Sequence, residues 1–216
     1  MSDLSADSED VARALADALA DRSRVARARL IVGIVGAPGT GKSTLAGAVA
    51  LHLGHELCRT VSMDGFHLGQ RIIDGTELAN RKGAPDTFDV GGYVSLLGRL
   101  RANSEDTVYA PVYRREWEEP VAASVAIPSS VPIVLTEGNY LLLDHGGWEG
   151  VRGLLDDTWY VDTPAELRRS RLIARHVLFG KTPEAARRWT DGPDERNAQM
   201  ILATRVRAGR IVTWDR

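Results

Sequence analysis

Apolar positions along the chain recur with two different periods, and each change of period marks a change of element. From residue 9 to 28 they fall three and four apart, at Val11, Leu15, Ala18 and Leu19. Ser8 is a suitable N-cap, and Glu9 and Asp10 sit in the first turn, so this spacing predicts a helix. Leu30 to Val35 is a short, β-branched apolar run ending against glycine and predicts a buried strand. An Ala-rich helix is expected over 42–53 and a strand over 57–63. Residues 64–90 are rich in Gly, Asp and Pro and predict a long functional loop with room for one short helix. A helix follows over 92–102, then β segments over 107–113 and 122–127. Strands are expected over 131–136 and 158–161. Helices are expected over 165–179, 183–189 and 192–208, with a closing strand over 210–214.

Strands alternating with helices predict an α/β fold with a doubly wound, mainly parallel sheet. In such sheets ligands lie outside the carboxyl ends of the strands. The 216 residues fit one domain, with an N-terminal helix within 1–29 and a lid around 164–190. No internal repeat at a solenoid period is evident. The 27 basic and 29 acidic residues leave a net charge of -2, which argues against general nucleic-acid binding. One cysteine, Cys58, excludes an internal disulfide framework and suits a reducing compartment. No apolar run approaches the roughly 20 residues of a membrane span. The acidic stretch Met1 to Asp10 lacks the basic-then-apolar pattern of a secretory signal. A cytoplasmic protein without nucleic-acid or membrane partners is therefore expected. Only Lys42, Lys82 and Lys181 are lysine among the basic residues, a bias that codon usage explains, yet their positions matter below.

After the first strand comes Gly36-Ala37-Pro38-Gly39-Thr40-Gly41-Lys42-Ser43-Thr44, a complete G-x-x-x-x-G-K-[ST] pattern. The glycines let backbone N–H groups converge on phosphate oxygens. The following helix points its positive N-terminus at the same anion. Lys42 is placed to reach the β and γ phosphates, and the Ser43 hydroxyl to ligate Mg²⁺. This reads as a P-loop NTPase fold. The Asn-Lys-x-Asp motif of guanine readers is absent, as is the transporter signature Leu-Ser-Gly-Gly-Gln.

Three acids stand at predicted strand ends: Asp64, Glu137 and Asp162. Beside a phosphate loop, one carboxylate can take the proton of an attacking hydroxyl and another can hold Mg²⁺. Asp64, followed by Gly65 and the polar loop, is the expected general base. Glu137 is the expected metal-associated acid, and Asp162 a structural one. Arg168, Arg171 and Arg175 share one face of the helix after Pro164. They suit a lid that brings cations over a transferring phosphoryl group, or else a solvated face paired with Glu166 or Asp162.

Six motifs occur in order: Gly36–Thr44, Ser62–His67, Arg81–Asp89, Ala110–Tyr113, Thr136–Tyr140 and Arg171–His176. Together they resemble the phosphoribulokinase/uridine kinase family of P-loop kinases, which includes bacterial pantothenate kinase, over about residues 30–200. Within it the chain is most similar to bacterial kinases labelled nucleoside/nucleotide kinase-like or fructose-transport-associated. The resemblance implies transfer of the ATP γ-phosphoryl group, with Mg²⁺, to a hydroxyl of a sugar, nucleoside or pantothenate-like acceptor. It implies Asp64 as catalytic acid, Glu137 as Mg²⁺-associated acid, and Arg171 and Arg175 as lid arginines, acting with Lys42. Family members are often oligomeric, which leaves a homo-oligomer open. Two departures stand out: Arg114 follows Tyr113, and His176 follows Arg175, where relatives often carry Asp.

On the acceptor side His67, Arg81, Lys82, Tyr113, Arg114 and Asn139 offer donors near the strand ends. Arg81 and Lys82 suit a carboxylate or phosphate on the acceptor, or form an exposed loop end. His67 either contacts substrate or packs. Trp117, Trp148 and Trp189 read as packing residues, Trp117 alternatively as a pocket wall. The rival function is a nucleotide-dependent regulatory or binding protein with little small-molecule kinase activity.

Overall fold

The computed structural model describes residues 8–214; residues 1–7 of the acidic leading stretch lie outside them. The chain runs α1 (Ser8–Val25), β1 (Leu30–Val35), α2 (Lys42–Leu53), β2 (Cys58–Ser62), α3 (Gln70–Ile73) and α4 (Val90–Ala102). A hairpin of β3 (Thr107–Arg114) and β4 (Glu119–Pro128) follows, then β5 (Ile133–Gly138), α5 (Glu149–Arg152) and β6 (Asp157–Asp162). The last elements are α6 (Ala165–Leu178), α7 (Pro183–Trp189), α8 (Glu195–Leu202) and β7 (Arg210–Thr213).

Five strands form one sheet in the order β2-β5-β1-β6-β7, every neighbouring pair parallel. Each residue of β1 and β5 is buried because both faces of the sheet are covered. On one face Val32 and Ile34 meet Leu15 and Leu19 of α1 and Leu45 and Val49 of α2. On the other, Ile31 and Val35 join a core containing Tyr93, Leu97 and Trp148. From β1 the chain passes to β2 on one side of the sheet and later to β6 and β7 on the other. That switch leaves a crevice at the carboxyl end of β1. The hairpin forms a separate two-stranded sheet. Its register shifts between Ala110 and Val112, where Pro111 has no N–H for the ladder.

The expected α/β, doubly wound parallel architecture is observed, with four local corrections. β5 starts two residues later than expected, because Pro132 cannot donate to the ladder. β5 also runs on to Gly138, so Glu137 lies within the strand, as does Asp162 at the end of β6. The segment 64–90 is not a bare loop. Short helical turns at Met63–Phe66, Glu77–Arg81 and Pro85–Thr87 accompany α3, and an antiparallel bridge joins His67 to Phe88. The helix expected over 192–208 is interrupted. A π-helical turn at Thr190–Asp194 accommodates Pro193, α8 ends at Leu202, and the Thr204 hydroxyl donates to the Ile201 carbonyl at 2.7 Å. Among the described residues no helix is long and apolar enough to cross a membrane.

Candidate active site

The turn from β1 into α2 has the shape of an anion cradle. Gly39 and Gly41 adopt φ of +83° and +87°, a region that side chains rarely enter. A Cβ on Gly36 would stand 2.9 Å from the Val161 carbonyl oxygen, and one on Gly39 would stand 2.6 Å from that of Arg168. The Lys42 ammonium folds back onto the Ala37 carbonyl at 3.1 Å. Burial pulls this ammonium down to about 8, against the attraction of Glu137 and Asp64 and with Arg175 and Arg115 adding to the fall. A buried cation held over a ring of backbone donors fits a polyphosphate, whose charge would replace the lost solvation.

Two acids face this loop from the neighbouring strands. β2 and β5 pair in register at Ser62 and Glu137, so their carboxyl ends stand side by side. The Ser62 hydroxyl accepts the Asp64 amide N–H at 3.2 Å and donates to the Glu137 carboxylate. Ser43 donates to the same carboxylate. Burial, with the charge of Asp64 adding, raises the Glu137 carboxyl above its ordinary range, while Lys42 and the two serines oppose the rise. Asp64 behaves differently. Burial pushes its carboxyl up, but the charge His67 carries when protonated and the standing cations Arg115, Lys42 and Arg175 outweigh burial and hold it below the usual carboxylate range. Asp64 is thus ionised at neutral pH.

Ser43 and Glu137 are hard oxygen donors beside the phosphate cradle. Among the described residues no three His, Cys, Asp or Glu cluster as a metal cage. That donor set fits Mg²⁺, which keeps waters and substrate phosphates as most of its ligands.

A cavity of about 370 Å³ begins at Gly39, Lys42 and Ser43 and runs past Asp64 and Glu137. Its far end is bounded by His67, Lys82, Tyr113 and Asn139 from the sheet side and by His176, Lys181 and Asn197 from the lid side. All three lysines of the chain line it. A second space of about 290 Å³ lies against Gly41 to Thr44 and is closed by Arg115, Arg171 and Arg175. The arginine face of α6 therefore points at the phosphate loop. Arg168 donates to the Pro38 carbonyl and pairs with Glu195 at 2.8 Å, and Arg171 reaches the Gly39 carbonyl at 3.5 Å.

His67 sits between the rings of Phe88 and Tyr113, at centroid distances of 4.1 and 4.5 Å. Its Nδ1 lies 2.7 Å from the Asp64 carbonyl oxygen, which can only accept. Burial, with Lys82 and Arg115 adding, keeps the ring neutral against the pull of Asp64. Nδ1 therefore carries the proton and Nε2 keeps a lone pair.

Several expectations for the acceptor side change. Arg81 lies outside the cavity, because Asp86 in the same loop pairs with it at 2.6 Å. Lys82 lines the cavity, but Gln70 Oε1 at 2.7 Å, the Glu118 carbonyl at 2.9 Å and the Glu118 carboxylate at 3.5 Å surround its ammonium. Three donors are matched by three acceptors, so Lys82 ties the 64–90 segment to the hairpin tip. Arg114 is exposed and pairs through its backbone with Glu119. Trp148 is a core residue, Trp117 is exposed, and Trp189 lines the cavity beneath Lys181. Sequence reasoning missed Arg115. Arg115 is the first turn residue beyond β3, where strand alternation no longer places a side chain, so no local pattern announced it. Cys58 is buried, which pushes its thiol up to about 12.

No family model matches the chain. It is 34% identical over 192 residues to the protein YggC of Escherichia coli, covering 85% of this chain and 77% of that one. It is 30% identical over 183 residues to a Schizosaccharomyces pombe protein named "Putative uridine kinase", covering 80% and 78%. A solved structure of a "putative fructose transport system kinase" from Silicibacter sp. TM1040 superposes with a TM-score of 0.83 at 33% identity, covering 94% of this chain and 98% of that one.

Proposed function

Because the chain belongs to the phosphoribulokinase/uridine kinase family of P-loop kinases, we propose that it transfers the γ-phosphoryl group of ATP to a hydroxyl of a small metabolite. One observation carries the reading: the ionised Asp64 carboxylate and the Lys42 ammonium border the same cavity, with the acceptor-sized remainder lying beyond Asp64.

In the proposed reaction the Gly36–Ser43 turn holds the phosphates through backbone N–H groups and Lys42. Ser43 and Glu137 would hold Mg²⁺, which would supply charge neutralisation for the bound phosphates. Asp64 orients the acceptor hydroxyl and takes its proton as the new O–P bond forms. The bond from Pγ to the bridging oxygen breaks, and that oxygen leaves on ADP with the electron pair. Lys42, Arg171 and Arg175 balance the charge that spreads over the transferring group. His67 and Asn139 offer an acceptor and a donor to the substrate's remaining polar groups. Closure of α6 and α7 over the cavity would exclude water as a competing nucleophile.

ATP consumption measured with and without a panel of sugars, nucleosides and pantothenate-like acids tests the proposal. Turnover stimulated at least about tenfold by one member is expected for a committed acceptor. Consumption that no acceptor changes would contradict it.

A further inference from the structure

Arg115 occupies a position that the proposed chemistry does not yet use. It is the first residue beyond β3, at the tip of the hairpin, and borders both the phosphate-loop space and the larger cavity. Its Nη2 lies 3.2 Å from Asp64 Oδ2, the one hydrogen-bond partner of its side chain among the described residues. The side chain of Arg115 remains 41% exposed and that of Asp64 28% exposed, so the pair closes no core and contributes little to folding.

What fixes this arginine is the surrounding framework. Lys82 binds the Glu118 carbonyl and carboxylate, and the Gln70 amide donates to Glu119 Oε1 at 2.9 Å. Both ties hold the hairpin tip to the 64–90 segment. At the other end, Gly65 packs so closely on Pro111 that a Cβ there would stand 2.6 Å from its carbonyl oxygen. The turn carrying Asp64 and the hairpin carrying Arg115 are thus locked together on both sides of the ion pair. A carboxylate on a short turn can rotate about two bonds. An arginine from a second, independently anchored element removes that freedom.

We propose that Arg115 is a positioning residue for phosphoryl transfer: from the hairpin tip it holds the Asp64 carboxylate in the orientation that receives the acceptor proton. The proposal rests on the kinase reading for Asp64 as the base, and it assigns Arg115 an effect exerted through Asp64 alone.

A double-mutant cycle tests it. Turnover at saturating ATP and acceptor is measured for the wild type, Arg115→Met, Asp64→Asn and the double variant, with Arg115→Lys as the conservative comparison. Loss of orientation should lower kcat of Arg115→Met by about tenfold to a hundredfold, with the KM for ATP within about threefold. Arg115→Lys should recover part of the loss. In the Asp64→Asn background, Arg115→Met should cost nothing further. A wild-type kcat in Arg115→Met, or losses that multiply in the double variant, would overturn the proposal. If no acceptor stimulates the wild type, the same cycle is run on ATP hydrolysis. Non-multiplying losses there would show that Arg115 acts through Asp64 on water as the nucleophile, while the kinase reading, and with it the acceptor proton, fails. An absence of both activities would overturn both.

Discussion

At the scale of single residues, the cavity is defined by an uneven charge balance. Lys42, Arg115, Arg171 and Arg175 stand around Asp64 and Glu137, and burial draws the Lys42 ammonium down to about 8. Among the described residues the Lys42 ammonium donates to the Ala37 carbonyl. Exchanging that carbonyl for a phosphate oxygen converts a neutral-acceptor bond into an ion pair. Lys42→Ala should therefore weaken ATP binding by about tenfold to a hundredfold, the worth of one charge-assisted hydrogen bond. Calorimetric titration reads this directly, and an unchanged affinity would remove Lys42 from the phosphate site. The place of Lys42 at the end of the β1–α2 turn was legible from the chain because its motif is local: glycines, lysine and serine must follow each other for the loop to form. Lys82 was not legible in the same way. Its position near the cavity was foreseen, but its three acceptors come from residues 70 and 118, and no local pattern announces them.

At the scale of elements, the hairpin changes most between sequence and structure. Its two β segments were expected, but nothing in their alternation says that the tip returns to the Asp64 turn. The contact is made by Gly65 against Pro111, a tertiary approach that needs the missing side chain. Gly65→Ala would push these elements apart and misplace Asp64 relative to Arg115. A fall in kcat of about tenfold or more is expected, with ATP affinity kept, because a displacement near 1 Å suffices for such a loss. Steady-state kinetics with ATP binding measured in parallel checks this, and equal losses in binding and turnover would refute it. The α6 helix gives the opposite lesson. Its arginine face was readable from 3.6-residue periodicity, and the structure turns Arg168, Arg171 and Arg175 toward the phosphate loop. The late break in the last helix was less readable, since it depends on Pro193 and on the Thr204 hydroxyl competing for a backbone carbonyl.

At the scale of the whole molecule, the parallel sheet explains why distant motifs meet. β1, β2 and β5 are adjacent and point the same way, so Lys42, Asp64 and Glu137 emerge at one end although up to 95 positions separate them along the chain. Two apolar layers hold that end in place, one under α1 and α2 and one around Trp148 and Tyr93. The order of strands and helices was enough to anticipate this architecture, because buried parallel strands carry continuous apolar runs that period alone identifies. The shape of the acceptor end was not, since it is assembled from the 64–90 segment, the hairpin tip and the lid, three pieces with no shared periodicity. The central claim is that the nucleotide end and the acceptor end form one transfer site with Asp64 between them. Acceptor-stimulated turnover of Asp64→Asn, set beside its ATP affinity, tests that claim most directly. Turnover should fall about a hundredfold to ten-thousandfold, the contribution of a positioned general base, with ATP affinity within about threefold. Wild-type turnover in Asp64→Asn would contradict the account.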